Sequence, residues 1–178
     1  MFKKLCSKKG FSLAELLIVI AIIAILAGIV IMNMTGSERG AKAAKLRANL
    51  VTFREAILAY KADHGHYPCA PGDYNTSGDT TIFKRQLLWF TNKDGRPSQT
   101  KSATYGYGPY LQAFPLEPFT NSTRVVIDQS HERVLERLKA DVYRWGGATG
   151  GWYYEAKSGN VVANLGRNLN LPREYTYY

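Results

Sequence analysis

The sequence predicts an α+β fold in which a long N-terminal helix, its first half apolar enough for a membrane, packs through its second half on a small antiparallel β-sheet head. Three observations predict it. An unbroken apolar run extends from Leu16 to Met32. Residues 41–62 then repeat apolar side chains at helical spacing. The remainder breaks into short β-branched and aromatic clusters at 124–128, 151–156 and 161–165, separated by turn-forming residues.

The first ten residues carry Lys3, Lys4, Lys8 and Lys9 and end at Gly10. Residues 11–32, read as one helix, reach about 33 Å at about 1.5 Å per residue. A hydrocarbon core is about 30 Å thick, and in lipid a helix satisfies every backbone group of such a segment. Lysines ahead of the run predict a single pass with a cytoplasmic N-terminus and the head on the far side. A secretory signal peptide has a shorter apolar region followed by a small-residue cleavage site, whereas this run flows into a polar helix. Glu15 is the exception within it. A carboxylate at the centre of a membrane costs about 2.5–3.5 kcal/mol, so even near the edge Glu15 calls for a partner.

Lys8-Lys9-Gly10-Phe11-Ser12-Leu13-Ala14-Glu15 ahead of an apolar run resembles the class III signal of type IV pilins and type II secretion pseudopilins. The resemblance implies a pilin-like fold and a prepilin leader peptide at residues 1–10. It implies a peptidase cut between Gly10 and Phe11, with methylation of the new Phe11 amine. It further implies that Glu15 meets the Phe11 amine of a neighbouring subunit during assembly. An ammonium and a carboxylate that neutralise each other in a low dielectric make that pairing favourable. The implied partners are other copies of the chain in a helical polymer, a prepilin peptidase, an assembly-platform membrane protein and minor pilins or pseudopilins. The implied place is the cytoplasmic (inner) membrane, then the filament.

Residues 33–62 continue the helix. Leu46, Leu50, Phe53, Ile57 and Tyr60 recur at spacings of four and three, and Val51 and Leu58 are expected to widen that stripe. Gly28, Gly36 and Gly40 each cost about 1 kcal/mol relative to Ala, so a bend or local melting is expected there. Gly65 and Pro68 end the helix, and residues 63–178 form the head. His64, His66 and Cys69 lack a fourth metal ligand, which favours capping and loop packing.

Residues 70–79 read as a loop. Asp73, Asn75, Ser77 and Asp79 alternate oxygen-bearing side chains in the manner of a calcium loop, but Lys84 stands where the bidentate acid belongs. A turn and an N-cap for the next helix account for them more simply. No resident cofactor is expected. That next helix is read over 80–91 with Phe83, Leu87 and Phe90 buried, closed by residues 92–97. Gly108-Pro109-Tyr110-Leu111 and Pro115-Leu116-Glu117-Pro118-Phe119 resemble segments of major pseudopilins, with Glu117 for Asp and Phe119 for Trp. Arg124–Asp128 reads as a strand. Residues 130–145 read as a helix on Val134, Leu138 and Val142. Strands at 151–156 and 161–165 flank a hairpin turn at 157–160. Major pseudopilins also bind calcium in a C-terminal loop, but Glu174 is the only acid after Glu155.

Composition narrows the function. The 178 residues carry a net charge of +9, which falls to +5 without the four leader lysines. Cys6 goes with the leader, which leaves Cys69 alone and excludes an intramolecular disulfide in the mature chain. There is no phosphate-cradling Gly-rich loop and no nucleophile elbow. His131 beside Glu132 reads as a solvated pair on a helix. The twelve tyrosines are read as packing. The chain is therefore read as a structural filament subunit rather than an enzyme. The segment 105–119 favours a type II secretion pseudopilus, with adhesion or motility pili as one alternative. DNA uptake is another; it finds little support in so modest a charge.

Overall fold

The computed structural model describes residues 11–145 and 149–166, without the side chains of residues 29–37 and Trp145. Helix α1 covers Leu13–His64, and the chain divides into two compact units between Ala41 and Lys42. The backbone stays helical through Gly28, Gly36 and Gly40. Scattered glycines weaken a helix without severing its hydrogen-bond ladder, so the expected melting does not occur.

In the first unit the apolar side chains have no protein cover. Leu13, Leu16, Ile18 and Ile25 are each at least 60% exposed. A helix apolar all round must bury itself in something else. The described side chains of this run end at Gly28, about 16 residues or about 24 Å. Among the described residues no helix is long and apolar enough to cross a membrane; the expected span 11–32 extends past them.

The second unit is the head. The Leu46–Tyr60 stripe is its foundation, with Leu46, Leu50, Phe53, Ile57 and Tyr60 all buried. Val51 and Leu58 do not widen it; they are 52% and 56% exposed. At about 100° per residue they lie roughly 120–140° from the stripe's centre, outside an apolar face about 100° wide. Gly65 stops α1: it adopts φ +79°, and its N–H donates to the Lys61 carbonyl at 2.8 Å. This left-handed C-terminal cap suits glycine.

Helix α2 covers Thr80–Leu88, shorter than the expected 80–91. Its chain turns extended at Trp89, and Phe90–Thr91 becomes strand β1, antiparallel to β2 (Pro97–Ser98). Phe90 is thus a half-buried strand residue, and Gln86 takes the buried helical position. Residues 92–97 close a hairpin rather than a helix.

The second sheet has the order β3-β4-β5: Val125–Asp128, Trp152–Glu155 and Val161–Ala163. It is mixed rather than wholly antiparallel. β4 and β5 form the expected hairpin, but β3 pairs with β4 in parallel. Parallel strands need a crossover, and the segment containing α3 (Leu135–Trp145) supplies it. Residues 130–134 are not helical. Asp128 instead draws in the Ser130 N–H and hydroxyl at 2.9 and 2.7 Å. Val134 is 73% exposed; Leu135 joins Leu138, Val142 and Val162 in a small second core.

The main core forms where α1, α2 and β4 meet. Phe53 packs edge-on against Trp152 and Phe114 at 5.6 and 5.1 Å, and Phe83 lies 4.7 Å from Tyr154. Their polar tips find acceptors: Trp152 Nε1 donates to Pro115 O and the Tyr154 hydroxyl to Pro68 O. Large aromatics bury well only when such tips are satisfied. Arg133 ties the crossover down through Asp128, Asp141 and Glu155 at 3.3–3.4 Å.

Candidate functional site

The site begins where α1 begins. Ser12 Oγ accepts the Glu15 N–H at 3.3 Å, and a Glu15 carboxylate oxygen accepts the Ser12 N–H at 2.8 Å. This reciprocal pair is a capping box, which satisfies two donors that a helix start otherwise leaves open. Sequence reasoning on Glu15 as an isolated membrane acid missed it, although the signal is local: Ser-x-x-Glu ahead of an apolar run. The arrangement fixes the carboxylate at the positive end of the helix dipole. The Ser12 N–H it accepts is one residue from Phe11, whose ring is exposed. Lys3, Lys4, Lys8, Lys9 and Gly10 lie outside the described residues.

Of the four oxygen-bearing loop residues, Asp73 and Asn75 turn inward, while Ser77 and Asp79 stay exposed. Asp73 is buried. Its Oδ1 accepts the Tyr60 hydroxyl at 2.5 Å and its Oδ2 accepts the Cys69 and Asn75 N–H groups at 2.8 and 3.1 Å. Gln86 Nε2 contacts both oxygens at 2.9–3.0 Å. Asn75 Oδ1 accepts the Asp79 N–H and the Ser77 hydroxyl. Asp79 caps α2 by accepting the Thr81 and Ile82 N–H groups at 2.7 and 2.9 Å, and these bonds lower its pKa. A calcium ion needs six to eight oxygens directed at one point. These oxygens are directed at the chain's own N–H and O–H donors, so the set does not fit calcium.

His64 and His66 stack with ring centroids 6.0 Å apart. His64 Nδ1 lies 3.1 Å from the Lys93 carbonyl and Nε2 lies 3.0 Å from the Thr91 hydroxyl. A carbonyl only accepts, so Nδ1 carries the proton and a neutral Nε2 accepts from Thr91. Burial lowers the His64 pKa against the opposing pull of the Lys93 carbonyl. Cys69 is a buried free thiol whose pKa burial pushes above the usual range. Among the described residues no three His, Cys, Asp or Glu side chains form a metal-holding group. The loop at Glu117 takes its shape from that buried carboxylate, which accepts the Phe119 and Thr120 N–H groups at 2.7 and 2.8 Å. His131 is no free surface pair: its Nδ1 sits 2.8 Å from Asp128 Oδ2. Glu174 lies outside the described residues.

Comparison with known proteins locates the resemblance. Residues 5–31 match the family model described as the prokaryotic N-terminal methylation motif. The type II secretion system core protein G of Escherichia coli K12 is 38% identical over 149 residues, covering 78% of this chain and 92% of that protein. The proteins of the same name from Klebsiella pneumoniae and Vibrio cholerae are 26% and 27% identical, over 71% and 67% of this chain and 80% and 70% of their own lengths. No solved structure matches the chain.

Proposed function

Because the chain belongs to the type II secretion system core protein G family, we propose that it is a structural subunit of a type II secretion pseudopilus, a filament assembled from the membrane. The observation that carries this reading is the start of α1: a capping box on Glu15 followed by an apolar helical surface with no cover of its own. The relatives are secretion proteins, so motility and DNA uptake are not favoured.

The finer steps rest on that start. A peptidase cuts after Gly10 and methylates the Phe11 amine. Residues 11–32 hold the unassembled subunit in the cytoplasmic membrane with the leader inside and the head outside. Glu15, already fixed at its helix terminus, then presents its carboxylate to the Phe11 amine of the next copy. Copies of the chain, the peptidase, a platform membrane protein and minor pseudopilins are the partners this route needs. The chain carries no catalytic activity of its own. Its head folds without calcium, which the inward-turned Asp73 and Asn75 support; added calcium should leave the thermal midpoint within about 1 °C.

N-terminal mass spectrometry of the protein from its native membrane tests the processing step. A chain starting at N-methylated Phe11 is expected, and an intact Met1 in cells that contain the peptidase refutes it. Glu15→Ala should insert normally yet fail to form filaments visible by electron microscopy. A normal filament yield from that variant removes the pairing.

A further inference from the structure

We infer that the end of the head built from α2 and the β1–β2 hairpin is a docking face for a carboxylate-rich protein segment. Residues 79–116, which include the α2 N-cap, contain five cations, Lys84, Arg85, Lys93, Arg96 and Lys101, and two acids, Asp79 and Asp94. Arg85, Lys93, Arg96 and Lys101 are exposed. Among the described residues none of the five lies within ion-pair distance of a carboxylate. The crossover side contrasts with this: residues 128–145 balance four cations with four acids, and Arg133 and Lys139 there are paired.

Four of the five, all but Lys93, lie over aromatic rings instead. Arg85 lies 4.9 Å from the Trp89 ring centre, Arg96 lies 5.7 Å from Tyr74, and Lys101 lies 5.8 Å from Phe90. A ring face attracts a cation without neutralising it. Such contacts restrict these long side chains before any partner arrives, which lowers the ordering cost of binding. A guanidinium lying on a ring also keeps its N–H edge free for a carboxylate, which it can grip with two parallel hydrogen bonds.

The same geometry decides between anionic partners. Single-stranded nucleic acid gains its affinity by stacking bases on open aromatic faces. Here each of these rings has a face already covered by the chain's own cation, while the charge remains unspent. Carboxylate recognition uses what is left. The inference does not depend on filament formation, because it concerns the unassembled chain.

The test uses the full chain in neutral detergent and a fluorescein-labelled ten-residue glutamate peptide, read by anisotropy at about 50 and about 200 mM salt. The triple variant Arg85→Glu, Arg96→Glu, Lys101→Glu should bind at least about tenfold more weakly. A control with the same charge change on exposed residues elsewhere, Arg124→Glu, Arg137→Glu, Arg144→Glu, should lose less than about twofold. Binding should weaken with salt in the wild type. Equal losses in both triples would mean that bulk charge alone binds the peptide and would overturn the proposal. Tighter, equally patch-dependent binding of an oligothymidylate would overturn it in favour of a nucleic-acid face. If circular dichroism shows the patch triple unfolded, the Arg85→Gln, Arg96→Gln, Lys101→Gln variant carries the same expectation.

Discussion

Replacing Asp73 by Asn tests the reading of the 70–79 loop as an inward-facing anchor. The change preserves shape but swaps one buried acceptor oxygen for an NH2 donor. Asp73 now serves Tyr60, Cys69, Asn75 and Gln86. If the new amide nitrogen replaced Oδ2, two backbone donors, Cys69 N and Asn75 N, would be orphaned. The cheaper orientation places it at Oδ1, where the Tyr60 hydroxyl can turn round and accept. Gln86 Nε2 then keeps Oδ2 and the Gly95 carbonyl, both at 2.9 Å, and the buried Tyr60 hydroxyl hydrogen loses its acceptor at Oδ1. One unsatisfied buried donor costs about 1–3 kcal/mol, and hydrogen bonds to a charged acceptor exceed neutral ones by about 1 kcal/mol each. Relief from burying a charge offsets part of this, so the net loss should be about 2–3 kcal/mol. No nearby backbone can close in, because Gly95, at φ +83°, already sits so tightly against Tyr60 and Asp73 that a Cβ there would overlap both. For a head of this size the loss lowers the thermal midpoint by about 7–10 °C at about 2.1 cal/mol/K per residue. The assay is thermal unfolding of the full chain in neutral detergent, followed by tryptophan fluorescence, since Trp152 is fully buried. Asp73→Ala, which removes both acceptors, should lose more. An Asp73→Asn midpoint within about 2 °C of wild type would refute the anchor.

Two further outcomes follow from the helix start and the helix end. Ser12→Ala removes one half of the capping box and should cost about 0.5–2 kcal/mol locally; hydrogen exchange at the amides of residues 13–15 should speed up while the head is unchanged, and unaltered exchange there counts against the box. His64 is neutral in the folded head because its pKa is lowered by burial, whereas the unfolded chain takes up a proton near pH 6.5. The unfolded state thus binds more protons just below that pH, so this contribution is complete above about 6.5 and fades as the pH falls toward the folded value. His66, Asp63 and Asp73 face the same ring and are retained in the test. His64→Gln should flatten the decline of the thermal midpoint between about pH 6.5 and 5; an unchanged slope assigns the decline to other groups.

Local rules fixed much of this molecule. The period of Leu46, Leu50, Phe53, Ile57 and Tyr60 named the buried face of α1, Gly65 named its end, and Asp79 named the start of α2. Each depends on neighbours within a few residues. The N-terminal methylation motif was legible for the same reason, since the residues that match it, 5–31, form one short stretch. Long-range choices were not legible. Phe90 fits a helical period with Phe83 and Leu87, yet pairing with Ser98 drew it into a strand. Val51 and Leu58, by contrast, obey a local rule: roughly 120–140° from the stripe's centre, they fall outside the buried face. Whether β3 runs parallel or antiparallel to β4 depends on how the α3 crossover returns the chain. Asp73, Asn75, Ser77 and Asp79 carry the same oxygens whether they hold a cation or a loop. Sequence shows which atoms can accept; tertiary burial put N–H and O–H donors in front of them.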